Sequence, residues 1–269
     1  MENEVAIRLY FFFGVLCIVA IWEALRSKRV RHISRKIRWT RNLSLVFLNS
    51  LVVRLIVPFT AVGVAIYADQ HQIGLLNYLS LPTPLAVITA VLLLDLVIYG
   101  QHVVFHYVPW LWRLHKVHHI DQEIDVTTGL RFHPVEILLS SLIKAAAVLL
   151  LGVPAVAVVI FEILLNATAM FNHGNISLPI SFDKILRLFI VTPDMHRVHH
   201  SVIPHETNSN FGFNMPWWDR LFGTYQPQPA QGHTKMDIGL KDYRNADKTG
   251  LWTLLTLPFS DKNNASRSD

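Results

Sequence analysis

The 269-residue chain contains very little cysteine and little charge. Its one cysteine, Cys17, can form no internal disulfide, and a four-cysteine iron–sulfur cluster within the chain is excluded. Only 16% of the residues are charged, far below the quarter expected of soluble domains. The chain also lacks a glycine-rich phosphate loop, a GxGxxG flavin or nicotinamide fingerprint and an HPGG haem segment. Any redox chemistry therefore needs a reductant from outside the chain.

Long apolar runs account for much of the sequence, which is 52% hydrophobic. The first run, Val5 to Leu25, is long enough to span a bilayer. It lacks the basic start and the small-residue cleavage site of a signal peptide. Two further runs, Leu43 to Tyr67 and Pro84 to Phe105, are also predicted to cross the membrane. The chain is therefore predicted to be an integral membrane protein.

The basic residues are concentrated between the first two apolar runs. Residues 26–41 contain eight Lys or Arg, and the positive-inside rule places such a segment in the cytoplasm. We interpret the net charge of +5 as contact with anionic membrane lipids rather than with nucleic acid. No nucleic-acid partner is expected, and the third apolar run should end on the cytoplasmic side.

The last long apolar run, Ile137 to Phe171, has a helix-breaking sequence near its middle. Gly152, Val153 and Pro154 interrupt it, and proline removes an amide donor from a helix. We predict a re-entrant hairpin of two helices, each of about 14 to 17 residues, that returns the chain to the cytoplasmic side. A single span stays open as the alternative, and it would place the last histidine cluster outside.

The predicted fold is an all-α integral membrane protein with three full transmembrane helices, the re-entrant hairpin and a cytoplasmic, histidine-rich helical cap. Residues 1–80 would hold the N-terminal transmembrane helices and the basic loop, residues 81–230 a catalytic domain, and residues 231–269 a cytoplasmic tail. The polar stretch after Ser260 is expected to be disordered. The compact length and the absence of a C-terminal retention signal favour a bacterial inner membrane.

Histidine is the most informative residue type, with 14 copies. Eight of them form three clusters, in which residues three or four apart project from one face of a helix. One helix can thus aim two imidazoles at one point, and eight imidazoles exceed the needs of a single metal ion. Two metal ions are therefore predicted. The clusters are HxxxH at His102 and His106, HxxHH at His115, His118 and His119, and HxxHH at His196, His199 and His200.

Asp95 lies inside the third apolar run, where an ionisable group is costly and usually functional or paired. It shares one helical face with Tyr99, His102 and His106, and that face is predicted to line a catalytic cavity. Asp95 and Tyr99 are therefore candidate catalytic residues. We expect Asp95 to accept a hydrogen bond from a histidine of another helix or from an ordered water. Arg54 is a candidate ion-pair partner, with a snorkelling side chain as the alternative.

Carboxylates and tryptophans surround the clusters. Five carboxylates are candidates for the hydrogen bonds that orient ligating imidazoles, and the sequence does not select among them. Four tryptophans are predicted to mark the lipid headgroup level, where this residue is enriched. The carboxylates are Asp121, Asp125, Glu136, Asp194 and Glu206, and the tryptophans are Trp110, Trp112, Trp217 and Trp218.

These motifs occur together in an order that resembles the fatty acid hydroxylase superfamily, also called the sterol desaturase family. Besides the histidine clusters, the resemblance rests on TTGLRFHPVE from Thr127, FNHGN from Phe171 and WWDRLFGTY ending at Tyr225, and it covers Val91 to Tyr225. It implies a membrane di-iron enzyme that uses O2 and electrons from a ferredoxin, rubredoxin or cytochrome b5 to hydroxylate a lipid. Lipid or sterol desaturation by the same site stays open, as does a non-enzymatic membrane metal-binding protein.

The resemblance also implies a ligand set. Carried over position by position, it adds His173 of the FNHGN box to the eight clustered histidines. His133 in RFHP is left open between a ligand and a residue that orients one. Some relatives have a further histidine four residues before the match to His173, where this chain has Ala169. Coordination by this segment is therefore expected to be thinner, or completed by water.

Overall fold

Residues 3–244 and 250–260, which a computed structural model describes, form helices joined by loops. Within them, extended pairing is limited to two isolated bridges, Ser27 with Ile176 and Ser201 with Ile238. Five helical segments are long and apolar enough to cross a membrane. The all-α prediction is confirmed for this part of the chain. The five segments are Glu4–Leu25, Arg35–Leu79, Thr83–Tyr107, Pro134–Leu151 and Ala155–Asn172.

The first two apolar runs form three helices rather than two. Helix α1 (Glu4–Leu25) matches the first predicted span, whereas the second run divides into α2 (Arg35–Ile56) and α3 (Ala61–Gln70). The break falls at Pro58, since proline disfavours helical backbone at the residue before it and cannot continue the hydrogen-bond ladder. The second predicted span, residues 43–67, is therefore broken at Pro58, although it remains within one apolar segment long enough to cross a membrane.

The third apolar run forms the helix that carries the first histidine cluster. After the short α4 (Leu75–Leu79), helix α5 (Thr83–Tyr107) buries one face that includes both histidines of the HxxxH motif. Helix α6 (Pro109–His119) follows after a single residue and begins with a proline, which suits the first turn of a helix. The two clusters on α5 and α6 therefore lie on adjoining helices.

Helices α7 (Pro134–Leu151) and α8 (Ala155–Asn172) form the predicted hairpin. Each has 18 residues, or about 27 Å of helix, slightly more than expected. The hairpin turn packs on the connection between α3 and α4. Gly74 and Gly152 both have positive φ, and a Cβ on Gly74 would lie 2.1 Å from the Gly152 nitrogen. Because this connection leads to the start of α5, the hairpin reaches the end of the bundle opposite the histidines.

Short helices and loops form the histidine end of the molecule. They include a 3-10 turn (Thr128–Leu130) and α9 (Ile180–Leu186), α10 (Pro193–His199), α11 (Pro204–Thr207) and α12 (Trp217–Leu221). Helix α13 (Leu251–Ser260) packs on α6, and its Leu254 and Leu257 are buried against α2 and α6. The segment predicted to be disordered, after Ser260, lies outside the described residues.

The basic segment of residues 26–41 lies at the same end and is partly used inside the protein. Arg38 is only 3% exposed, and its Nη2 lies 2.7 Å from Asp121 Oδ2. Arg29 donates to the backbone carbonyls of His233 and Met236, and Lys28 pairs with Asp194 at 3.0 Å. Contact with lipid is therefore the wrong interpretation for these three basic residues, which instead tie the segment to the histidine end.

Candidate metal centre

Nine buried histidines form two groups at one end of the helix bundle. Within each group, one nitrogen from every ring lies within 4.8 Å of those from the others. These nine residues are the same nine that the sequence analysis predicts as metal ligands. The first group is His102, His106, His115, His119 and His199, and the second is His118, His173, His196 and His200.

The helical spacing explains how the clusters are divided between the groups. On α5, His102 and His106 stand one turn apart and both join the first group. Each HxxHH motif serves both groups, because adjacent residues on a helix point about 100° apart. On α6, only His118 turns to the second group, and on α10, only His199 turns to the first. Two neighbouring sites thus share the helices α6 and α10.

Six of the nine rings place Nδ1 beside an oxygen atom outside the groups. A carbonyl or carboxylate oxygen only accepts, so the proton of these imidazoles lies on Nδ1 and Nε2 carries a lone pair. The Nδ1 partners are the Phe211 carbonyl for His102 (2.7 Å), Asn208 Oδ1 for His106 (3.2 Å), Glu136 for His115 (2.6 Å), the Arg131 carbonyl for His118 (3.2 Å), the Ala169 carbonyl for His173 (2.7 Å) and the Ser209 carbonyl for His199 (2.8 Å).

The Nε2 atoms converge with their lone pairs facing one another. His102 Nε2 lies 3.1 Å from that of His115, and His118 Nε2 lies 3.0 Å from that of His173. Neither pair has a proton to share, so the arrangement suits a cation that accepts both lone pairs. Two metal–nitrogen bonds of about 2.1 Å at a right angle place their nitrogens about 3.0 Å apart. The donor sets of both groups therefore fit metal ions, and imidazole is a suitable ligand for iron or zinc.

Burial keeps six histidines of the site neutral. Burial, and then neighbouring histidines, lower the pKa of His118, His119, His196 and His200 well below the ordinary value. Burial likewise lowers the pKa of His173 to about 4 and that of His199 to about 3. A metal ion must displace protons from charged imidazoles but not from neutral ones. The site is therefore ready to bind a cation at neutral pH.

Glu136 is the predicted carboxylate that contacts a histidine of the site. Its Oε1 lies 2.6 Å from His115 Nδ1, which fixes the direction in which Nε2 points. Among the described contacts, the other four candidates have different partners. Asp121 and Asp125 pair with Arg38, Asp194 pairs with Lys28 and Arg197, and Glu206 accepts from the Ala230 nitrogen.

Asp95 lies against a loop rather than beside a histidine. Its oxygens accept hydrogen bonds from the backbone and side chain of Asn214, the Met215 nitrogen and Trp218 Nε1, the last at 2.8 Å. The expected histidine partner was wrong, and Arg54 does not pair with Asp95 among the described contacts. Tyr99 bonds through its hydroxyl to Thr224, at 2.9 Å.

The loop that these residues hold was missed by sequence reasoning. Residues 208–211 supply the Nδ1 acceptors of three histidines of the first group, through Asn208, Ser209 and Phe211. Asp219 accepts from the Phe211 and Gly212 nitrogens, at 2.8 and 2.9 Å. Asp219 belongs to the WDRLFGT motif, and that motif is the sequence feature that could have indicated this loop.

Trp112 and His133 each have specific neighbours in the structure. The Trp112 ring is partly exposed, with its centroid 4.9 Å from that of His106 and 5.3 Å from that of His119. His133 caps α7 by accepting from the Val135 nitrogen, and its other ring nitrogen faces the Leu255 carbonyl at 3.1 Å. His133 belongs to neither histidine group.

Ala169 explains the smaller second group. Its side chain offers no ligand, and its carbonyl instead accepts from His173 Nδ1. The second group has four histidines against five in the first. The departure noted in the sequence thus coincides with the group that has fewer protein ligands.

A cavity of about 1100 Å³ meets the first histidine group. Helices α1, α2, α5, α7 and α8 bound it, and most of its wall is apolar. His102, His115 and Glu136 form part of that wall, so the cavity gives access to the site. Its volume lies just above the usual range for ligand pockets, about 300–1,000 Å³. A long apolar molecule can therefore reach these histidines.

Comparison with known proteins places the chain in a family. The family model described as fatty acid hydroxylase matches residues 87–224, just over half of the 269-residue chain. Both histidine groups lie within the matched range. The chain therefore belongs to the fatty acid hydroxylase family.

Three relatives show how far the similarity extends. An ornithine lipid hydroxylase, OlsE, of Rhizobium tropici is 29% identical over 181 residues, which cover 67% of this chain and 52% of that protein. An alkylglycerol monooxygenase of Danio rerio is 33% identical over 50% of this chain and 29% of its own length. A human lathosterol oxidase is 24% identical over 86% of this chain and 76% of its own length. The chain thus spans about half of the first relative and less of the second. No solved structure matches it.

Proposed function

We propose that this protein is a membrane-bound oxygenase that uses two iron ions, O2 and electrons from an external donor to hydroxylate a C–H bond of a lipid. The cavity that meets the first histidine group carries the proposal, because it joins an apolar binding space to a metal-binding donor set. Membership of the fatty acid hydroxylase family and the printed activities of the relatives support it. The external donor would be a protein such as a ferredoxin, rubredoxin or cytochrome b5.

The residues of the site would hold the ions and position the substrate. His-bound non-haem iron supplies the O2 chemistry for attack on an unactivated C–H bond. His102 and His115 would present one ion to the cavity, and Glu136 would keep His115 in the tautomer that binds metal. The apolar wall would hold the lipid chain and exclude water from the reacting carbon. Asp95 and Tyr99 would act by holding residues 208–224 in place, through Asn214, Met215 and Trp218 and through Thr224.

We further propose that the histidine end faces the cytoplasm of a bacterial inner membrane. The basic residues 26–41 lie at this end, as the positive-inside rule requires. Helices α1, α2 with α3, and α5 would cross the membrane. The α7–α8 hairpin would reach its far side, because its turn packs on the connection to α5. Residues 81–230 would form the catalytic domain.

Metal content and product analysis test the proposal. Purified protein is expected to contain two iron atoms per chain, with a coupled signal in Mössbauer spectroscopy. Incubation with membrane lipids, O2 and a reductase system should add one oxygen atom to a lipid. Loss of two hydrogens would assign a desaturase instead. Replacing His118 with alanine should abolish turnover without affecting membrane insertion. Retained lipid oxidation in that variant would contradict the proposed function.

A further inference from the structure

Arg54 brings a positive charge into the wall of the large cavity. It lies on α2, two residues before the helix ends, and its side chain is exposed. The same cavity is lined by His102 and His115 of the first histidine group. Arg54 is the one lysine or arginine among the described residues that line this space. The cavity is therefore apolar except for a few hydroxyls and amides, two imidazoles, one carboxylate and this guanidinium.

No acidic side chain neutralises Arg54 within the described residues. Its sequence candidate, Asp95, is occupied by the loop around Asn214. The carboxylate of the cavity, Glu136, bonds to His115 at 2.6 Å and forms no ion pair with Arg54. A charged group in a membrane cavity is costly without a partner, so an unpaired arginine there indicates a ligand of opposite charge.

Arg54 lies within the apolar segment rather than at one end of it. Long basic side chains near the ends of a membrane helix can reach the headgroups. The apolar segment that contains Arg54 continues through α3, which packs on α7 and α8 as far as the hairpin turn. Towards the other end, Asn49 bonds to the Phe132 carbonyl, and Arg54 lies about 7.5 Å further along α2. Arg54 thus lies between the two ends of the bundle, in the wall of the cavity.

We propose that Arg54 binds the anionic group of the substrate, which is then a lipid bearing a carboxylate or a phosphate. The guanidinium suits either group, because its planar fork can donate two parallel hydrogen bonds. That the bound lipid is a substrate rests on the proposed function, but binding of the anionic group can be measured without turnover.

Binding of matched amphiphiles tests the assignment. Hexadecanoate, hexadecyl phosphate and hexadecanol share one chain and differ in charge and head. Their Kd values would be measured by titration of the purified full chain in a neutral detergent, with and without metal. The variants are Arg54→Gln, Arg54→Lys and, as a matched control, Arg26→Gln. Arg26 is an exposed arginine outside the cavity wall.

The wild type is expected to bind at least one anion about ten-fold more tightly than hexadecanol, the scale of one charge-assisted contact. A preference for hexadecanoate would identify a carboxylate lipid, and one for hexadecyl phosphate a phospholipid. Arg54→Gln should remove the preference while leaving the Kd of hexadecanol unchanged, and Arg54→Lys should retain part of it. Arg26→Gln should behave as the wild type.

Two results would overturn the inference. One is a wild type that does not prefer either anion, and the other is an Arg54→Gln variant that keeps the preference. Intact hexadecanol binding shows in each case that the variant is folded. Because these measurements do not depend on oxidation, they can fail while lipid hydroxylation is observed, or succeed while it is not. The two proposals are therefore separable.

Discussion

His118 Nε2 lies 3.0 Å from His173 Nε2, while Nδ1 of each ring faces a backbone carbonyl. Both protons are committed to the carbonyls, so two lone pairs oppose each other inside a buried site. His196 Nε2 lies 3.0 Å from the same atom of His173, and His200 Nε2 lies 3.2 Å from it. Without a cation, this arrangement is electrostatically unfavourable. With one, four nitrogens become ligands.

Removal of metal is therefore expected to destabilise the protein. A ligand that binds the folded state alone stabilises it by RT ln(1 + [L]/Kd), or about 4 kcal/mol at a thousand times Kd. Chelator-treated protein should unfold at a temperature lower by several degrees, and added iron should restore the midpoint. Thermal unfolding followed by tryptophan fluorescence measures this. Equal midpoints for chelated and iron-loaded protein would contradict a metal site at these histidines.

Acid is expected to destabilise the metal-free protein below about pH 6.5. Six histidines of the metal site that lie outside the membrane helices have a pKa lowered from 6.5, with those of His173 and His199 at about 4 and about 3. The unfolded chain therefore binds more protons in acid, so stability is full above pH 6.5 and lost as the pH falls. Each histidine contributes up to about 1.4 kcal/mol per pH unit.

The measurement is the thermal unfolding midpoint of chelator-treated protein from about pH 8 to about pH 4, a range that includes the ordinary histidine pKa. A flat profile above pH 6.5 and a steep fall below it are expected. His71→Gln is a control, since His71 is exposed and belongs to neither group. A profile with no dependence on pH in this window would mean that these histidines are not buried and neutral.

Replacing Glu136 with glutamine should weaken the first metal site. The substitution keeps the shape but removes the charge that fixes the His115 tautomer, and losses of this kind cost about 10–100-fold in metal affinity or activity. Competition with a chelator measures the affinity, and product formation measures the activity. Asp237→Asn serves as the control, because its ion pair with Arg244 is exposed. Equal effects of both substitutions would show that Glu136 does not support the first metal site.

The histidine clusters could be predicted because joint metal binding by helical histidines depends on their spacing along the chain. A residue four positions along a helix faces the same way in any fold, so the division of each HxxHH motif between two sites follows from helix geometry. Asp95 was predicted to be buried for a sound reason, but its partner lies 119 residues away. No local pattern identifies such a contact. The Nδ1 acceptors at residues 208–211 are backbone carbonyls, which every residue has, so the sequence gives them no signature.

The break at Pro58 shows a different limit. Mean hydropathy over residues 43–67 describes one apolar segment, and it does not register the single residue that ends α2. Proline in such a segment is compatible with a kink or with a break. The neighbouring Thr60 decides for a break, because its side chain accepts from the Gly63 nitrogen and starts α3.

Gly129 is expected to be essential for the second histidine group, although it contributes no ligand. A Cβ added there would lie 2.3 Å from the Ala169 carbonyl oxygen and 3.1 Å from His173 Nδ1. That carbonyl accepts from the same Nδ1, so Gly129→Ala must displace either α8 or the His173 ring. The variant should lose part of its bound metal and nearly all turnover, measured as iron per chain and as product formed.

Gly100→Ala is the matched control, since Gly100 lies within α5 and a Cβ there would meet no atom within 4 Å. Alanine is better than glycine in a helix by about 1 kcal/mol, so this variant should keep its metal and unfold at the same or a higher temperature. Comparison of the two variants distinguishes loss of the metal site from a general effect of replacing glycine. Full metal content in Gly129→Ala would show that His173 is not held by the packing of Gly129 on α8.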